Sequence, residues 1–186
     1  KAVLARNTSS AGVAKRPESN KGAVIGLLGV KGGVGTTTVA MNLATAFNLN
    51  GQNAIVSDFR LGAGSLGLML GLGNSRGMAN LLSKPASDIR PNLVEPDIIT
   101  HQSGLKTLLS SINPKEAQIN YSADTAAALV RALRVLGNPT ILDLGCGLNP
   151  IVARLQREVD HLILVTDPTP VALTMGREIL NQLDTA

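Results

Sequence analysis

The chain has 186 residues, of which 44% are hydrophobic and 16% are charged, a balance typical of one folded domain with a buried core. Aromatic residues make up only 2%, which argues against surfaces that stack sugars or RNA bases on aromatic rings. The single cysteine excludes an internal disulfide and a CxxC zinc site. No apolar run approaches the roughly 18 residues of a transmembrane helix, and we therefore expect a cytoplasmic protein.

The formal net charge of +4 lies in the first 22 residues. The charged residues there are Lys1, Arg6, Lys15, Arg16 and Lys21, against Glu18. This segment has no hydrophobic periodicity, which predicts a basic flexible linker or tail over residues 1–22. Because the chain begins with Lys, we expect an upstream part to be missing. The remaining sequence is electrically neutral, so nucleic acid is not expected as a partner.

From residue 23 onward, short apolar runs alternate with segments of helical periodicity. Strands are predicted over 23–28, 54–57, 105–110, 140–142 and 161–165, and helices over 36–49, 77–83, 124–136, 150–158 and 170–183. Such alternation is typical of an α/β fold with a doubly wound, mainly parallel sheet and helices on both faces. Residues 23–186 are therefore predicted to form one domain.

A glycine-rich loop between the first strand and the first helix carries the clearest chemical signal. It reads Lys31, Gly32, Gly33, Val34, Gly35, Thr36, Thr37, Thr38. Glycines let several backbone N–H groups point at one anion, and the start of the helix adds the positive end of its dipole. A hydroxyl in the first helical turn, here Thr37, can reach a magnesium ion held by phosphates. The sequence therefore predicts a phosphate site, although Thr36 stands where such loops usually have a lysine.

This loop resembles the K-G-G-x-G-K-[ST] hallmark of the ParA/MinD-type ATPases, the deviant Walker A group of the SIMIBI class of P-loop proteins. With Thr36 replacing the second lysine, and with the runs 55–58 and 64–72, the chain resembles the TadZ/CpaE pilus-assembly branch. The resemblance covers about residues 22–186. It implies ATP and Mg²⁺ as ligands, a homodimer across the nucleotide, protein partners from a pilus or secretion assembly, and recruitment to the cell pole or inner-membrane face. It also implies that the segment contacting the base is absent, so that the domain is incomplete at its C-terminal end.

The same resemblance implies catalytic roles for Lys31, Asp58 and Asp143. Lys31 would reach across the dimer to the nucleotide of the other subunit. Thr37 and Asp58 would hold magnesium, and Asp143 would hold it through a water molecule. The family's D-x-D pair is Asp58 and Arg60 here, and Arg60 cannot accept a hydrogen bond from water. We therefore expect weak or absent ATP hydrolysis.

Two alternatives remain open. Within the same fold, the chain could be a ParA/MinD-like partition or division-site ATPase. More remotely, residues 142–147 resemble the D-x-G-x-G turn of S-adenosylmethionine-dependent methyltransferases, with Asp167 as the ribose-binding acid. Against that alternative, Asn149 replaces a further glycine, and the loop at 31–38 would have no role. Cys146 is expected to be a small packed thiol, and the Leu-rich run 66–72 is expected to lie mainly in the core.

Overall fold

The computed structural model describes residues 2–7, 22–73 and 77–184. Within those ranges, one sheet contains seven strands in the order β1-β7-β2-β6-β3-β5-β4. The strands are β1 (Ala2–Asn7), β2 (Val24–Gly29), β3 (Ile55–Asp58), β4 (Ile99–Thr100), β5 (Lys106–Leu108), β6 (Thr140–Cys146) and β7 (His161–Thr166). Strands β7, β2, β6, β3 and β5 are parallel to one another, whereas β1 and β4 pair antiparallel at the two edges. The predicted mainly parallel α/β sheet is confirmed.

Helices connect the parallel strands. They are α1 (Thr36–Leu49), α2 (Leu66–Met69), α3 (Gly77–Leu82), α4 (Pro91–Val94), α5 (Ala123–Leu136), α6 (Pro150–Leu155) and α7 (Pro170–Asp184), with 3₁₀ turns at Glu95–Asp97 and Pro114–Gln118. The chain moves along the sheet one way from β2 to β3 and the other way from β5 through β6 to β7. Because such crossovers are right-handed, α1 covers one face and the contacting pair α5 and α6 covers the other.

The core is aliphatic and lies along the central strands. Strand β3 is buried over its whole length, and β6 over its first five residues, as expected for parallel strands covered on both faces. Two charged residues interrupt this apolar interior, Asp58 and Asp143, which are register partners near the carboxyl ends of β3 and β6. The carboxyl ends of parallel strands are where open α/β sheets place their ligand sites.

The largest departure from the sequence prediction is β1. Residues 2–7 pair with β7 over six register positions, so the linker predicted for residues 1–22 is wrong over this stretch. The apolar run at residues 2–5 is only four residues long, which is too short to identify a strand without knowing its partner β7. Residues 8–21 of the predicted linker lie outside the described residues.

Smaller departures concern short elements. The one-turn helices α2 and α4 and the two-residue strand β4 were not predicted, because elements this short contain too few residues to show a period. The strand predicted at 105–110 is limited to Lys106–Leu108, and the helix predicted at 150–158 ends at Leu155. None of these differences moves the glycine-rich loop, which lies between β2 and α1 as predicted.

Candidate functional site

The loop at 30–35 joins the end of β2 to the start of α1. Gly33 and Gly35 have φ angles of +82° and +92°, in the left-handed region where a side chain is strained and glycine is favoured. The side chains of Val30 and Val34 are buried in the core, and the Val30 N–H donates to the Val165 carbonyl oxygen at 3.0 Å. The two valines therefore anchor the loop to the core, while the glycines allow its backbone to adopt the tight, left-handed turn.

A cavity of about 260 Å³ lies over this loop. Its lining residues are Lys31, Gly32, Gly33, Gly35, Thr36, Thr37, Thr38, Arg60, Ser65, Met69, Gly145 and Cys146. At Gly32 and Gly33 an added Cβ would meet no atom within 4 Å, so the loop faces open space. The N-cap residue of α1 is Gly35, which has no side chain to cap the first turn. The backbone N–H groups of that first turn therefore suit an anion. Apart from buried Val34, every predicted loop residue lines this cavity.

Thr37 is the centre of a hydrogen-bond network at the base of the cavity. Its hydroxyl donates to Asp143 Oδ2 at 2.5 Å and accepts from Arg60 Nη1 at 2.9 Å. The same Arg60 Nη1 donates to Ser65 Oγ at 2.7 Å. The structure therefore joins Thr37 to Asp143 directly, and adds Arg60 and Ser65 to them.

Asp143 is buried on β6 and faces the loop. Its Oδ1 accepts from the Gly145 N–H at 3.1 Å, while Oδ2 accepts from Thr37. Burial raises the pKa of Asp143, and the hydrogen bonds from Thr37 and Gly145 partly offset that rise. Both carboxylate oxygens thus orient the loop and the glycine turn after β6.

Asp58 is fully buried at the end of β3 and holds the segment that follows it. Its Oδ1 accepts from the Arg60 N–H at 2.9 Å and its Oδ2 from the Leu66 N–H at 3.3 Å. Burial, reinforced by the negative charge of Asp143, raises the pKa of Asp58 to about 7. Both oxygens are therefore used to fold the 58–66 segment, and a role in holding magnesium stays a prediction.

Lys31 lies at the rim of the cavity and forms an ion pair. Its Nζ donates to Asp167 Oδ2 at 2.6 Å, and Asp167 Oδ1 accepts from the Thr169 N–H and hydroxyl. The hydrogen bond from Lys31, followed by that from the Thr169 hydroxyl, lowers the pKa of Asp167 to about 2. Asp167 was predicted only as a ribose-binding acid under the methyltransferase alternative, and its pairing with Lys31 was not predicted.

Cys146 contradicts the packed thiol that the sequence predicts, because it is exposed and lines the cavity. Cys146 stands between Gly145 and Gly147 at the carboxyl end of β6, and both glycines have positive φ angles, +71° and +75°. The Leu-rich run is also more exposed than predicted, since Leu66 is buried but Leu68 and Met69 are exposed.

The open loop suits a phosphate chain, whereas the Thr37 oxygen that a metal ion would use is already hydrogen-bonded. Hydroxyl and carboxylate oxygens such as those of Thr37 and Asp143 are ligands that Mg²⁺ prefers. In this arrangement, however, Arg60 already donates to Thr37 Oγ1, and a cation on that oxygen would displace it. Among the described residues, no cluster of three or more His, Cys, Asp or Glu side chains is arranged to hold a metal ion.

Comparison with known proteins agrees with the fold. The family described as cellulose biosynthesis protein BcsQ matches residues 23–78. A ParA family ATPase from Chlorobium tepidum superimposes with a TM-score of 0.78 at 20% identity, covering 88% of this chain and 68% of that one. The septum site-determining protein MinD from Pyrococcus horikoshii, solved with Mg-ADP, gives a TM-score of 0.71 at 22% identity, with 88% and 65% covered. The chain has the fold of the ParA and MinD ATPases.

One curated relative is matched over only part of its length. The antiactivator FleN of Pseudomonas aeruginosa is 24% identical over 164 residues, which are 87% of this chain and 56% of FleN. The chain therefore spans a little over half the length of that relative. Across the described residues, no helix is both long and apolar enough to cross a membrane.

Proposed function

We propose that this chain is an ATP-binding switch of the ParA/MinD type, which dimerises around its nucleotide and hydrolyses it slowly or not at all. The observation that carries the proposal is the open glycine loop at the head of α1, with Thr37 bonded to Asp143 beneath it. Backbone N–H groups over residues 32–36 would bind the phosphates, since the loop faces a cavity at the positive end of the α1 dipole. Arg60 would supply a charged side-chain donor at the cavity wall, where Thr37 accepts a hydrogen bond from its guanidinium.

Dimerisation is proposed from Lys31 and from the apolar side chains beside the cavity that it lines. The resemblance assigns Lys31 to the nucleotide of the other subunit, and in the single chain Lys31 is paired with Asp167. Leu68 and Met69, next to the cavity, are 56% and 47% exposed, and apolar side chains at a cavity rim favour contact with a second chain. If nucleotide is buried between two chains, nucleotide binding and dimerisation stabilise each other.

Slow hydrolysis is proposed from two substitutions. Thr36 cannot supply the positive charge that a lysine at this position would place on the phosphates, and Arg60 cannot accept a proton or orient a water molecule as a carboxylate would. A switch that holds ATP without rapid turnover would act through a change of partner or location. We propose that the switch positions a pilus or secretion assembly, because the loop and the run 64–72 resemble the TadZ/CpaE branch. Such a switch would work in the cytoplasm, recruited to the cell pole or the inner-membrane face.

A partition or division-site role is the alternative within the same fold. Removal of the gene separates the two: loss of surface pili with normal cell division supports the proposal. Misplaced septa or lost plasmids with normal pili would contradict it.

Calorimetry with a slowly hydrolysed ATP analogue in the presence of magnesium tests the binding step. We expect micromolar affinity, at least a tenfold loss in Thr37→Ala, and no change in Thr45→Ala, whose hydroxyl donates to Met41 within the same helix. S-adenosylmethionine serves as the parallel titration. Binding of S-adenosylmethionine in place of the ATP analogue would overturn the proposal.

A further inference from the structure

Arg60 donates to the Thr37 oxygen that the resemblance assigns to magnesium. Its backbone N–H is fixed by Asp58 Oδ1, and its Nη1 donates both to Thr37 Oγ1 at 2.9 Å and to Ser65 Oγ at 2.7 Å. The stem lies along Gly145, where an added Cβ would be 3.0 Å from Arg60 Cγ and 3.6 Å from its Cδ. Three separate segments therefore hold this guanidinium over the cavity.

The guanidinium has donors left for a ligand. Arg60 carries five N–H donors, and the two hydrogen bonds it makes from the side chain both come from Nη1. Arg60 lines the same cavity as Gly32, Gly33 and Gly35. A planar guanidinium with free N–H groups matches two oxygens of one phosphate.

Among the described residues, Arg60 is the cavity-lining cation that forms no salt bridge. The cavity-lining cations are Lys31 and Arg60, and Lys31 is paired with Asp167 at 2.6 Å. Thr36, where a lysine is usual, contributes no charge. Asp58 and Asp143 do not line the cavity, but they are buried register partners behind its wall. Burial raises the pKa of both carboxyl groups, and the positive charge of Arg60 acts against that rise.

A metal ion on Thr37 would compete directly with this arrangement. The Thr37 hydrogen is used toward Asp143 and an oxygen lone pair toward Arg60. A divalent cation binding Thr37 Oγ1 would have to displace the guanidinium, because two positive charges this close repel each other. The positive charge next to Thr37 Oγ1 is therefore supplied by the protein itself, through Arg60.

We propose that Arg60 takes over the work of both the missing loop lysine and the metal on Thr37, so that the polyphosphate chain of a nucleotide binds without magnesium. The inference rests on the proposed function, since it requires that this cavity binds a nucleoside triphosphate. The inference makes Arg60 a residue that contacts the ligand. The comparison with the family's D-x-D pair, in contrast, records only that Arg60 replaces an aspartate.

The test is calorimetric titration of a slowly hydrolysed ATP analogue, with magnesium and with EDTA, into the wild-type chain and into Arg60→Gln. The wild type is expected to bind within threefold of the same affinity in both buffers. Arg60→Gln is expected to lose about ten- to a hundredfold in EDTA, the range for removing a charge-assisted hydrogen bond. Magnesium should restore part of that loss, because the Thr37 oxygen is then free for the metal. The matched control, Arg90→Gln, removes an exposed arginine that does not line the cavity and should behave as wild type.

A second variant separates a lost charge from a damaged fold. Arg60→Lys keeps one positive charge, and adding Thr36→Lys to Arg60→Gln returns a charge to the loop. Both are expected to recover binding in EDTA relative to Arg60→Gln, with unchanged thermal unfolding temperatures. Wild-type binding that needs magnesium would overturn the inference while leaving the proposed function intact. Absence of binding in both buffers would overturn the two together.

Discussion

The buried carboxyl group of Asp58 should make the stability of this fold depend on pH in an unusual direction. Its pKa rises from 3.8 to about 7 in the folded chain, so between those values the folded state binds more protons than the unfolded state. The free energy of unfolding therefore falls as pH rises through this window and is level above it. A shift of this size corresponds to about 4 kcal/mol at 1.36 kcal/mol per unit, of which roughly 2–3 kcal/mol falls between about pH 5 and pH 8.

Asp58→Asn removes this titrating group and should flatten the slope, leaving only the part due to Asp143, whose pKa burial also raises. The amide cannot accept both backbone N–H groups that Asp58 accepts, so a pH-independent loss of about 1–3 kcal/mol is also expected. Urea unfolding across the pH range, compared with wild type and with exposed Asp88→Asn, separates the slope from the offset. Parallel pH curves for wild type and Asp58→Asn would refute the reasoning.

Three further predictions concern the loop, the glycine turn and the core. Lys31→Ala should abolish ATP-dependent dimerisation in analytical ultracentrifugation, and dimerisation at the wild-type nucleotide concentration would contradict the assigned role. Gly145→Ala should cost about 1–2 kcal/mol in the free energy of unfolding, because its φ is +71°, and should weaken ATP-analogue binding by pushing Arg60 aside; unchanged calorimetry would count against the Arg60 contact. Leu129→Ala, at a fully buried position of α5, should lower the free energy of unfolding by about 2–5 kcal/mol. Exposed Leu49→Ala should change it by less than about 0.5 kcal/mol, and equal urea midpoints for the two variants would show that α5 does not pack as described.

The parallel sheet and the phosphate loop could be predicted from sequence because both have local signatures. Buried parallel strands are continuous apolar runs, and the glycines at 32, 33 and 35 stand between such a run and a helical period. Only glycine adopts the positive φ angles of Gly33 and Gly35 without strain. The loop and α1 therefore lie where the sequence predicts them.

The contacts around the loop could not be predicted in the same way. Arg60 meets Thr37 across 23 positions of chain, and the partner of Lys31, Asp167, is 136 positions away. Such contacts depend on the order of the strands and on the path of the 58–66 segment. Hydrophobic periodicity in the sequence predicts neither of them. A clue to Arg60 existed in the missing loop lysine, since a phosphate site without that charge needs another cation.

The central claim is that the glycine loop itself holds a nucleoside triphosphate. The most direct measurement is the amide NMR spectrum of the ¹⁵N-labelled chain during titration with a slowly hydrolysed ATP analogue. The account predicts that the largest shifts occur at the N–H groups of residues 32–38, with smaller ones at Arg60 and Gly145. Shifts confined to the turn after β6 and to Asp167, or a spectrum without change at the loop, would contradict it.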